Sequence, residues 1–401
     1  MPPQGNKLES SNQYIRNIFL KISTNSGNYK EIKSTSQHHT TPSRKKTLPI
    51  VASVLLLLVS FFTFAILGNM SLSPWGIHYG NNTLVTPNYT VESLTRDVQV
   101  KNIHSHNDYW RSEPFFEALT FGVISIEADV WHFPSGLEIE TYTESTNSSS
   151  KDIKSFSNEE IYVGHSSVYL QPKRTLNNLY LDPIYNLLKD SNPKLTYENH
   201  SSASFQGEPP LHGVFYDFPD QTLYLWFDIK TASNDTYNGL KPLLKRFIDN
   251  NWLTSYDTST KKLSPGPVTI TLTGNLPTEL VSSEEIRYVF LDAPLLNFNS
   301  TSNGKADLNS TALLSQVASG SLQSILGDES YKEALRSDFS PDQLAKIKDH
   351  VDTAHKYNLK TRIWGGVTWP NYVKLAQNKG YYSIGVDLLN TDDIAQFANS
   401  F

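Results

Sequence analysis

From about residue 96 onward, short apolar runs alternate with helix-like stretches, and this alternation limits the possible folds more than any other feature of the chain. The strand candidates are Val98–Ile103, Ile124–Val130, Ile161–Gly164, Leu223–Asp228, Val268–Leu272, Tyr288–Leu291, Lys360–Trp364 and Ile384–Val386. Helix-like segments fall between several of them, at Pro114–Thr120, Leu181–Lys189, Gly239–Asn250, Pro341–Tyr357 and Tyr372–Asn378. Parallel strands need crossover connections of this length, so the order points to an α/β fold. Eight strands over about 300 residues fit a closed (β/α)8 TIM barrel, with an open doubly wound sheet as the alternative.

A second feature precedes the alternation. Leu48–Leu67 is a 20-residue run without charge, LPIVASVLLLLVSFFTFAIL. At about 1.5 Å per residue it is long enough to cross roughly 30 Å of hydrocarbon. Arg44, Lys45 and Lys46 stand directly before it. The positive-inside rule then predicts a single-pass membrane protein with a cytosolic N-terminus and a lumenal or extracellular barrel. Seven Asn-x-Ser/Thr sequons, at Asn81, Asn88, Asn147, Asn199, Asn234, Asn299 and Asn309, all follow the run. This segregation suggests a glycoprotein. A cleaved signal peptide would need a charged region of 46 residues, far longer than such regions are.

The expected organisation is a disordered cytosolic tail over 1–46, a transmembrane helix over 47–68, a stalk over 69–95 and the barrel over 96–401. Residues 140–158 and 297–312, rich in Ser, Thr and Asn, read as surface insertions. The tail carries eight Lys/Arg against two Glu, a charge of +6, so the remainder carries −12 of the total −6. An acidic globular part argues against nucleic acid as a partner. The absence of cysteine excludes disulfides, thiolate nucleophiles and zinc–thiolate sites.

Polar residues cluster at strand C-termini, the face on which barrels carry their sites. The first strand ends in His104-Ser105-His106-Asn107-Asp108-Tyr109-Trp110. In the run ISIEADV, alternation places Glu127 and Asp129 on one face and Ile126, Ala128 and Val130 on the other. With helices outside, the two carboxylates face the lumen, where a divalent cation would relieve their repulsion and desolvation. His165 closes IYVGH, and Asp228 and Lys230 share one face at the end of LYLWFDIK. Taken singly, each has a plainer reading: a solvated loop, an acidic edge strand, a structural histidine, a salt bridge. Together, Glu127, Asp129, Asp228 and the Asn107 carbonyl suit Mg2+, with Ca2+ as the other candidate. Two histidines suit general acid–base work on a phosphodiester.

HSHNDY, SIEADV, YVGH and FDIK in this order resemble the phospholipase C-like phosphodiesterase superfamily. Its members include glycerophosphodiester phosphodiesterases, phosphatidylinositol-specific phospholipases C and spider sphingomyelinase D enzymes. The phrases HNDYWR, LYLDPIYNLLK and TRIWGGVTWP bring the chain closer to one fungal branch, over roughly residues 95–401. The resemblance implies a (β/α)8 barrel, one divalent metal and catalytic histidines at His106 and His165. It implies metal ligands at Glu127, Asp129 and Asp228 and a phosphate contact at Lys230; Asn107 follows His106 as in the phospholipase C pattern. The His-Arg-Gly of glycerophosphodiesterases is absent, and with it that subfamily's phosphate-binding arginine. His104 is a second candidate for the first histidine.

The expected activity is metal-dependent phosphodiester hydrolysis on a phospholipid or glycerophosphodiester, with the membrane as a further partner through the chain's own helix. Two other classes compete. His104-x-His106 also resembles an amidohydrolase metal pair, but after His212 only His350 and His355 remain, both in a predicted helix. The other is a non-catalytic, membrane-anchored barrel that binds a lipid or protein.

Overall fold

A computed structural model describes residues 89–145, 148–193, 210–296 and 314–400. Its strands are β1 (Lys101–Ser105), β2 (Val123–His132), β3 (Leu137–Ser145), β4 (Ser148–Phe156), β5 (Ile161–Val163), β6 (Leu223–Ile229), β7 (Ser255–Asp257) and β8 (Lys262–Ser264). Then follow β9 (Val268–Gly274), β10 (Ile286–Arg287), β11 (Val289–Leu291), β12 (Ala293–Pro294), β13 (Val317–Ser321), β14 (Lys360–Trp364) and β15 (Leu388–Thr391). Nine of them form one parallel path in the order β11-β9-β6-β2-β1-β15-β14-β13-β12.

The path is a nearly closed barrel. Its two terminal strands, β11 and β12, are separated in sequence by Asp292 alone, so one short chain segment pairs with β9 on one side and β13 on the other. This corrects the expected eight-stranded (β/α)8 barrel. Ile161–Val163 is not a stave; it pairs antiparallel with the far end of β2, at Val130–His132. Val317–Ser321 is a stave that the apolar pattern did not mark, because VASGS offers too little apolar bulk. The expected strand at Ile384–Val386 is a turn around Gly385 at φ +90°, and the stave follows at Leu388–Thr391.

The expected transmembrane helix and the single-pass location built on it are also corrected. Among the described residues no helix is long and apolar enough to cross a membrane. The longest, Ser233–Ile248 and Pro341–Lys356, have 16 residues each and carry charged faces. They reach about 24 Å, short of the roughly 30 Å required. The run at 47–68 lies outside the described residues, as do the expected tail and most of the expected stalk.

The core lies between the barrel and its helices. Ile124, Ile126, Ala128 and Val130, the outward set of β2, share one buried cluster with Ile184, Leu187 and Leu188 of Asp182–Ser191 and Leu240, Leu244 and Phe247 of Ser233–Ile248. Each buried Val, Ile, Leu or Phe of this set contributes about 1.5–3 kcal/mol. Val91–Thr95, at the end of the expected stalk, is a helix that closes on this core. Thr90 and Ser93 form a capping box, Val91 and Leu94 are buried, and Thr95 Oγ1 donates to the Val214 carbonyl at 3.0 Å.

Asp292 sits where the barrel closes. Its Oδ2 accepts from Thr273 Oγ1 at 3.1 Å, while its buried Oδ1 has no partner among the described residues. Burial, opposed by the Arg362 charge, pushes its pKa up to about 7. The folded protein therefore binds a proton that the unfolded chain releases near pH 4, and stability falls as pH rises from about 4 to 7. Asp292→Asn should remove that slope, gaining on the order of 2 kcal/mol over the wild type at pH 8 and nothing at pH 4. Urea melts at the two pH values measure it; equal slopes for both proteins would refute the assignment.

Candidate active site

β1 delivers its histidines to different environments. His104 is fully buried, with Nδ1 2.8 Å from Ser125 Oγ and Nε2 donating to Glu127 Oε2 at 2.6 Å. Burial, reinforced by the nearby Arg362 charge, lowers its pKa to about 3, so the ring is neutral at any ordinary pH. His106, just past the strand, is partly exposed and lines a cavity of about 800 Å3. Its Nδ1 donates to Asp392 Oδ1 at 2.7 Å. Burial alone would lower its pKa, but the Asp392 hydrogen bond and the Glu127 charge outweigh that and raise it. Its Nε2 has no hydrogen-bond partner among the described residues. Of the two histidines, it is His106 that faces the cavity.

Asn107 is buried in a left-handed conformation at φ 48°, which tilts the chain into a short turn at Asp108–Trp110. Its Oδ1 accepts from Tyr109 Oη at 2.6 Å. Tyr109 Oη also lies 2.8 Å from Asp129 Oδ2 and 3.3 Å from His165 Nδ1, so this one hydroxyl connects three candidate residues.

The parallel register of β2 and β6 sets Asp129 beside Asp228, and Glu127 lies one pleat deeper, beside Trp226. Glu127, Asp129 and Asp228 each offer an oxygen within 4.8 Å of the others. Glu127 and Asp129 are almost wholly buried. Burial would raise the Glu127 pKa, but Arg362, with Nη2 2.6 Å from Oε2, holds it well below the usual range, helped by His104. Burial raises the pKa of Asp129, opposed by Lys230 at 3.3 Å and the Tyr109 hydroxyl. Lys230 Nζ donates to Asp228 Oδ2 at 2.6 Å; burial would lower its pKa, and the two aspartates raise it. Gly274, at φ +75°, ends β9 against this group, and a Cβ there would lie 2.1 Å from Asp228 Oδ1.

His165 follows β5, with Nδ1 3.1 Å from Asp129 Oδ2 and its ring edge-on to Trp110 at 5.4 Å. The cavity lining includes His106, Glu127 and Asp228 but not His165, Asp129 or Lys230. The hydrogen bonds described here use Oε2 of Glu127 and Oδ2 of both aspartates. Each carboxylate thus keeps a second oxygen, and a cluster of hard oxygen donors of this kind fits Mg2+ or Ca2+.

Three side chains that contact the candidate residues escaped the sequence reading: Arg362, Asp392 and Ser125; Tyr109 stood in the first polar cluster without a role. Arg362 could have been found. It is the central residue of the strand KTRIW, and a guanidinium in mid-strand of a barrel must find an acidic partner in the lumen. Asp392 carries no such signal; it meets His106 only because β15 closes beside β1.

Comparison with known proteins gives the family. The AIM6-like phosphodiesterase domain matches residues 92–156 and 144–292. Altered inheritance of mitochondria protein 6 of Kluyveromyces lactis is 35% identical over 338 residues, covering 77% of this chain and 74% of that protein. Its counterpart in Eremothecium gossypii is 35% identical over 314 residues, covering 76% and 70%. The Saccharomyces cerevisiae protein (strain YJM789) is 32% identical over 318 residues, covering 76% and 72%. No solved structure matches the chain. The phrases HNDYWR and TRIWGGVTWP thus lead where the comparisons do: the chain belongs to the family of AIM6-like phosphodiesterases.

Proposed function

We propose that the protein is a metal-dependent phosphodiesterase acting on a phospholipid or glycerophosphodiester, with His106 and His165 as its acid–base pair. The observation that carries this reading is the meeting of three carboxylates within 4.8 Å, beside a histidine whose Nε2 is free and whose Nδ1 is fixed by a carboxylate. Glu127, Asp129 and Asp228, with Asn107 adjoining, would hold Mg2+, or Ca2+ in its place, which when bound stabilises charge on the phosphate oxygens. Lys230 reaches the same region with an ammonium that would contact a non-bridging oxygen. Asp392 keeps the His106 proton on Nδ1, so Nε2 is the atom that takes a proton from the attacking hydroxyl. His165, held through Nδ1 by Asp129, would return a proton to the leaving oxygen. The attacking group is either water or a neighbouring hydroxyl of the substrate.

A second reading draws on one observation. Arg362 and His104 already satisfy Glu127 Oε2, as in a structural ion pair, which suits a non-catalytic barrel that binds a lipid or protein. The assay that separates the two uses a panel of choline and nitrophenyl phosphodiesters with Mg2+, then with EDTA, on the wild type, His106→Ala and Glu127→Ala. Turnover that EDTA and both substitutions abolish supports the enzyme. A folded protein that binds Mg2+ and turns over nothing supports the binding barrel.

A further inference from the structure

The cavity does not end at the carboxylates. Beyond Arg362 its lining continues along Trp364–Thr368 to the helix Asn371–Ser383, where Lys374, Asn378 and Tyr381 line it. Nothing in the proposed acid–base chemistry uses these residues, and their state is unusual for a helix flank. The Lys374 side chain is only 10% exposed, and its nearest carboxylate, Asp393 Oδ2, lies 3.6 Å away. Its ammonium makes no hydrogen bond to a described residue. Asp393 is half exposed and its Oδ1 caps the last helix by accepting from Gln396 N at 3.1 Å, so it is a loose counter-ion. Tyr381 Oη is buried without a partner among the described residues, and burial keeps it a protonated hydroxyl. The other carboxylate at this end, Asp392, is occupied by His106.

This end of the cavity therefore holds an ammonium and a hydroxyl that make no hydrogen bond to a described residue, while Asp392 is held by His106 and Asp393 lies 3.6 Å from the ammonium. Such a set is complementary to an acceptor-rich anion. We infer that the Lys374–Tyr381 compartment binds a phosphate or carboxylate on the non-reacting part of the substrate, and so selects phosphodiesters that carry a second anionic group. The inference rests on the phosphodiesterase reading for its substrate, but the anion site itself stands on its own geometry. The bland alternative makes Lys374 a tether between its helix and Asp393.

Two nitrophenyl phosphodiesters, one of glycerol and one of glycerol 3-phosphate, separate these. The full chain should favour the phosphate-bearing ester by tenfold or more in kcat/KM. Lys374→Gln should bring the ratio of the two values near one, and Lys374→Arg should keep it high. No preference in the wild type, or a preference that survives Lys374→Gln, would overturn the inference. If neither ester is turned over, the enzyme reading has failed, and calorimetric binding of glycerol 1,3-bisphosphate decides the site alone. At least tenfold weaker binding by Lys374→Gln, with a melting curve showing that it folds, supports the site. Equal affinity, or none in the wild type, removes it.

Discussion

Arg362→Met should cost the barrel about 3–5 kcal/mol at pH 8, the loss expected when one member of a buried ion pair is removed and the other is left uncompensated. The Arg362 guanidinium is buried, and Nη2 lies 2.6 Å from Glu127 Oε2 while Nε donates to Asn390 Oδ1 at 3.0 Å. It also stacks over Trp226 at 5.1 Å. Without it, Glu127 keeps only the neutral His104 as a partner. The loss should be smaller at low pH. Burial is the main cause that depresses His104 and the Arg362 charge the next, so the variant relieves only part of that depression. A histidine pKa depressed below its unfolded value costs stability as pH falls below about 6.5; the variant, with the smaller depression, loses less than the wild type there. Denaturant melts at pH 5.5 and 8 therefore should show the larger deficit at pH 8. The double variant Glu127→Gln/Arg362→Met should recover most of the deficit, because no charge is then left unpaired. If the single variant melts like the wild type at both pH values, the pair is not what holds the lumen.

The same pair shows what the sequence made legible. Strand parity placed Glu127 and Asp129 on one face of ISIEADV and Asp228 and Lys230 on one face of FDIK. The structure joins these residues in one cluster, because alternation is a property of a single strand. Closure of the barrel is a property of many strands, and there the reading failed. Val317–Ser321 was missed because that stave is selected for small size. A Cβ on Gly320 would lie 3.2 Å from the Leu295 Cβ, so the site is tight and cannot signal itself by apolar bulk. Ile161–Val163 was misplaced because an apolar triplet reads alike in a parallel stave and in an antiparallel extension. His104 and His106 share a face by parity too, yet one is sealed behind Trp226 and the other opens to the cavity. The difference is depth along the barrel axis, which spacing alone does not encode.

Depth also sets the other large effect. Gly274→Ala should destabilise the protein by about 2–4 kcal/mol and weaken Mg2+ or Mn2+ binding about 10–100-fold. The glycine has φ +75°, where an added side chain is strained before it touches anything. A Cβ would also meet the Ile229 carbonyl oxygen at 2.7 Å and Asp228 Oδ1 at 2.1 Å. The carbonyl belongs to β6 and cannot yield without breaking the register with β9, in which Ile229 lies beside Gly274. The carboxylate can yield, and in doing so it leaves the group formed with Glu127 and Asp129. The stability loss and the affinity loss thus have separable origins, and a double-mutant cycle distinguishes them. In an Asp228→Ala background, Gly274→Ala should still destabilise, through the carbonyl contact and the strained φ, but by less than in the wild type. Its effect on cation affinity should vanish there, because the ligand it displaces is already gone. Mn2+ titration followed by electron paramagnetic resonance, with thermal melts of all four proteins, measures both terms. Unchanged Mn2+ affinity in a folded Gly274→Ala protein would mean that Asp228 is not among the ligands, and Lys230 at 2.6 Å would then be its whole purpose.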